Sequence, residues 1–113
     1  MQIVQTHLRR LEVIAQELEL EALSPRNIVR KDDAHDVTQV CTRLHKAADG
    51  IDVKLIIGYA SSIRGRAQTD RLYIAHKQYQ ELLLEAAEII DSLCRDNEST
   101  AHRQSVSKLL HNF

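Results

Sequence analysis

Cys41 and His45 stand four residues apart in a segment with helical spacing, close enough for thiol and imidazole to reach one metal ion or each other. His35 lies one to two turns earlier. A structural zinc site takes four ligands, and neither a Cys-x-x-Cys nor a His-x-x-x-His pair is present to supply the other half. Read as nucleophile and base, the same pair needs an ionised thiol, and a cysteine among apolar residues has its pKa raised instead. The expectation is a core cysteine beside a boundary histidine, with no metal, no cofactor and no catalytic set. Cys94 also sits in an apolar helical pattern, and two cysteines are too few for a disulfide framework.

Charge is the second source of chemistry. Arg64, Arg66, Arg71 and Lys77 face a single acid, Asp70, which makes residues 64–77 the most basic stretch of the chain. Such a patch suits an acidic protein surface or a phosphate backbone, and equally a solvated bend between helices. Glu81, Glu85, Glu88, Asp91, Asp96 and Glu98 then oppose Arg95 alone, and these opposite signs along one helix would favour antiparallel pairing of two chains. The whole chain, 113 residues with net charge −1, has no global field to drive it onto nucleic acid or an anionic membrane. Aromatic residues make up 4%, too few for base-stacking platforms, and three glycines leave no phosphate-cradling loop. Residues 1–23 carry too many charges for a signal peptide, and no stretch is long and apolar enough to span a membrane, so a soluble cytoplasmic protein is expected.

The elements that must position these residues are helical. Val4, Leu8, Leu11, Ala15, Leu18 and Ala22 recur at spacings of three and four, widened by Ile3, His7 and Ile14, and the run ends at Ser24-Pro25. Val13 and Leu20 fall on the far side, seven apart, as a second contact stripe. A second helix is predicted to start at Asp33-Ala-His-Asp36, with Asp33 accepting from the freed amides, and to stop before Gly50. Residues 51–63 alternate as a strand would, yet Val53, Ile56, Ile57, Ala60 and Ile63 also make a helical face. Helix is the preferred reading, because a lone strand leaves backbone groups unpaired unless it joins a strand of another subunit. Gly58, Ser61, Ser62 and Gly65 predict a bend before the next element. The longest helix is expected from Thr69 to Arg95. Its nonpolar arc runs through Leu72, Ala75, Tyr79, Leu82, Ala86, Ile89 and Leu93, widened by His76, Leu83, Ala87, Ile90 and Cys94; it is broad enough for two neighbours, and its reverse face should be solvated. A short last helix containing His102, Val106, Leu109, Leu110 and Phe113 would dock as a lid.

One segment carries a resemblance. Ile14-Ala15-Gln16-Glu17-Leu18, followed by Leu23-Ser24-Pro25-Arg26-Asn27-Ile28-Val29-Arg30, is similar to the helix-turn-helix of bacterial transcription regulators. The resemblance implies that Ser-Pro-Arg opens a recognition helix and that Arg26, Asn27 and Arg30 contact DNA. Glu19 to Ala22 stand where that family places a shorter turn with a glycine. His45-Lys46 is similar to the phosphate-accepting segment of phosphotransfer bundles, but the downstream lysine-glycine spacing of that family is absent.

These readings converge on one all-α domain over residues 1–113, an antiparallel bundle of four to five helices with one long central helix, forming a homodimer. The expected function is non-catalytic: regulation of another protein, such as a transcription factor or enzyme, bound through apolar helix faces. Val13, Leu20, Tyr73, His76, Leu83, Leu84 and Ile90 are the candidate partner contacts, with Arg64, Arg66 and Arg71 as basic contacts. The alternative is a DNA-binding regulator with a degenerate helix-turn-helix at residues 14–30.

Overall fold

A computed structural model describes residues 5–46 and 52–111 of the chain, with side chains as far as Arg95. Helix α1 spans Gln5–Leu23 and buries Leu8, Leu11, Ile14, Ala15, Leu18 and Ala22, so the three-and-four spacing becomes one core-facing side. Each fully buried leucine or isoleucine of this kind contributes about 1.5–3 kcal/mol relative to exposure. The helix stops where expected. Pro25 cannot continue the hydrogen-bond ladder, and Asn27 N–H closes a turn on the Ser24 carbonyl oxygen at 3.1 Å. Asn27 itself takes φ 58°, a left-handed conformation that asparagine tolerates better than most residues.

Helix α2, Lys31–His45, begins two residues before the predicted start. Asp32 and Asp33 occupy its first turn, and Arg43 and His45 its last, both favourable to the helix dipole. Its N-cap is Arg30, with no side-chain cap, so Asp33 does not serve the freed amides as predicted. That carboxylate turns into the core instead. Val37, Val40, Cys41 and Leu44 form the buried side of α2, while Ala47, Ala48 and Gly50 lie outside the described residues.

Helix α3, Val53–Thr69, resolves the ambiguous segment as helix: Ile56, Ala60, Ile63 and Ala67 are buried at spacings of four, three and four. Asp52 caps it by accepting from Leu55 N–H at 3.2 Å. The glycines do not interrupt the helix, which continues through both to Thr69. The chain breaks at Asp70 instead. Asp70 caps the next helix, α4 (Arg71–Ala75), by accepting from Leu72 N–H at 3.0 Å.

The predicted single helix from Thr69 to Arg95 is therefore two elements. His76 closes α4 with φ −124° and ψ 72°, and α5, Lys77–His111, starts beyond it. Among the described residues the break expected near residues 96–100 is also absent, so the separate lid helix is the distal part of α5. At 1.5 Å per residue its 35 residues span about 52 Å, most of the molecule's 62 Å long axis. Helix α5 packs chiefly against α3 and also against α1 and α4, while α1 packs on α2. All described elements are helices, and none is long and apolar enough to cross a membrane.

Candidate functional site

The described structure divides the candidate contacts into three groups. Val13 and Leu20 lie on the outer side of α1, 43% and 71% exposed, and Leu23 joins them at 77%. His76 and Leu84 are half-buried; the His76 Nδ1–H donates to the Leu72 carbonyl oxygen at 2.8 Å and so serves the α4–α5 break. Tyr73, Leu83 and Ile90 are wholly buried, which corrects their reading as surface contacts. The broad arc of the long helix is consumed inside the chain by α3, α1 and α4.

The charged candidates are also engaged internally. Arg64 pairs with Asp91, and Arg66 bridges Asp33 and Asp36 of α2. Glu85 of α5 forms a bidentate pair with Arg10 of α1, at 2.6 and 2.8 Å. The reverse face of the long helix is thus partly paired rather than wholly solvated, and Arg64 and Asp91, two of the charges expected to join two chains, pair with each other within one. Arg71 remains exposed.

The recognition helix implied by the helix-turn-helix resemblance is not there. Helix α1 extends through the intended turn to Leu23, and Arg26, Asn27 and Arg30 sit on the non-helical connector before α2. Arg26 donates to Glu21 at 2.9 Å and to the Tyr79 hydroxyl oxygen at 3.3 Å. Arg30 pairs with both carboxylate oxygens of Asp70. These arginines staple the connector to the bundle rather than project from a helix toward a groove.

The deepest polar cluster is built around Asp33, 1% exposed, whose carboxylate accepts from the Tyr73 hydroxyl and from Arg66. The Tyr73 hydroxyl oxygen in turn accepts from Arg30 N–H at 3.0 Å. Burial and then the neighbouring Asp33 carboxylate push the Tyr73 phenol well above its usual range, so it stays protonated and donates. The chain α2, connector, α3 and α4 is tied at this one point. It holds the structure together, and Asp33 was legible in sequence only as a helix-start acid.

Asp70 and Glu85 are held ionised by arginine partners. The Arg30 guanidinium, followed by Leu72 N–H, holds Asp70 below the usual carboxylate range, and Arg10 does the same for Glu85. A carboxylate whose folded-state pKa is depressed binds protons more readily when unfolded, so its contribution is complete above its unfolded pKa of about 4 and is lost as pH falls through the lower folded value. Stability measured by urea unfolding is expected to decline below about pH 4, and Asp70→Asn should make that decline shallower. An identical acid limb in the variant would remove Asp70 as a contributor.

Cys41 and His45 line a shallow groove between α1 and α2 with Glu12, Glu19, Thr38 and Thr42. His45 pairs with Glu12 across the groove, and Glu19 accepts from Thr38 at 2.6 Å. Burial, then the Glu12 charge, pushes the Cys41 thiol up to about 12, which keeps it protonated near neutral pH and weak as a nucleophile. Cys41 is expected to resist an aromatic disulfide reagent at pH 8 in the folded protein and to react once the chain is unfolded. Rapid labelling of the folded chain at Cys41 would reverse this reading. Among the described residues, no group of three or more histidine, cysteine or acidic side chains is placed to hold a metal ion.

No family model matches the chain, and neither a curated protein nor a solved structure matches it. Leu23 was missed as a contact because it ends the helix beside Pro25; its place three residues after Leu20 was the available signal.

Proposed function

We propose that this chain is a non-catalytic regulatory protein that binds another protein through the outer face of α1, for example by sequestering a transcription factor or an enzyme. The observation that carries this reading is the exposure of Leu20 and Leu23, 71% and 77%, on the same helix whose opposite side is completely buried. Single exposed leucines are ordinary, but Val13, Leu20 and Leu23 share one side of the helix, with the exposed Gln16 between Val13 and Leu20. A shallow groove floored by Ala22 and Ala34, with His35 and Lys31 on its rim, extends that side onto α2.

The helices are proposed to run antiparallel, as short connections favour. Supporting this, Glu12 and Glu19 of α1 meet His45 and Thr38 of α2 in reverse order, and Arg10 and Glu21 meet Glu85 and Tyr79 of α5 in reverse order. Homodimerisation belongs to the same proposal.

The test is purification of a tagged copy from native cells, with nuclease, alongside Val13→Asp and Leu20→Asp variants of unchanged helical content. A stoichiometric protein that survives nuclease and is lost with both variants supports the reading. Retention of that protein by both variants, or recovery only of nuclease-sensitive material, overturns it.

A further inference from the structure

We draw no further inference here: the strongest candidate, the outer face of α3 on which Gly58, Ser61, Ser62 and Gly65 lie exposed, is a stripe of small residues, and nothing in the structure shows what covers it.

Discussion

Asp33→Ala is expected to lower the unfolding free energy by about 3 kcal/mol, read from urea denaturation at neutral pH. The carboxylate is 1% exposed and accepts two hydrogen bonds, one from Tyr73 and one, charge-assisted, from Arg66. Bonds to charged groups are worth about 1.5–3 kcal/mol each, but Arg66 is 38% exposed and retains Asp36, so its share is discounted for solvent screening. The Tyr73 hydroxyl suffers more. It is fully buried and would keep Arg30 N–H as a donor to it while losing the group to which it donates. Tyr73→Phe should cost less, about 1–2 kcal/mol, because it removes one hydroxyl and leaves the Asp33–Arg66 pair. Against a total stability of about 5–15 kcal/mol for a domain, losing Asp33 removes a large share. A cost below about 1 kcal/mol for Asp33→Ala would mean that this cluster does not anchor α2 to α3 and α4.

Ile90→Ala is expected to cost about 2–5 kcal/mol, and Leu20→Ala to stay within about 0.5 kcal/mol of the parent. Both residues stand at apolar helical positions, yet Ile90 is wholly buried on α5 and Leu20 is 71% exposed on α1. Truncating Ile90 loses its transfer free energy and leaves a cavity that its neighbours fill only in part. Truncating Leu20 changes a side chain already in water. The pair of measurements therefore separates packing from contact: thermal and urea unfolding should move for Ile90→Ala alone, and association should move for Leu20. If Ile90→Ala unfolds like the parent, the residue faces outward and the assignment of α5 to the core is wrong.

These two residues show why a broad apolar arc misled the sequence reading. Periodicity reports how much of a helix surface is apolar, not how many neighbours the same chain provides. Three helices meet α5, so Leu83 and Ile90 needed no second copy to bury them. The narrow pair Val13 and Leu20 was more informative, because an apolar residue opposite an already complete core face has nothing in its own chain to meet. The basic stretch misled in the same way. In sequence its arginines look like a surface patch, but Arg64 and Arg66 are matched by Asp91, Asp33 and Asp36 from distant parts of the chain.

What the amino-acid order determined by itself is the helical class, the core side of α1 and α2, the stop at Pro25 and the apolar stripe on α1. Each follows from interactions within a few residues: side chains three and four apart share a face, and proline breaks a ladder locally. Tertiary structure alone decided the unbroken run of α3 through its glycines and the break at His76. It also joined the expected last helix to α5 and turned Asp33 inward to Tyr73 and Arg66. In each of these the deciding partner is distant in sequence or the local preferences are too weak to choose. A propensity of about 1 kcal/mol at a glycine yields to the burial of Ile56, Ala60, Ile63 and Ala67 on one continuous face.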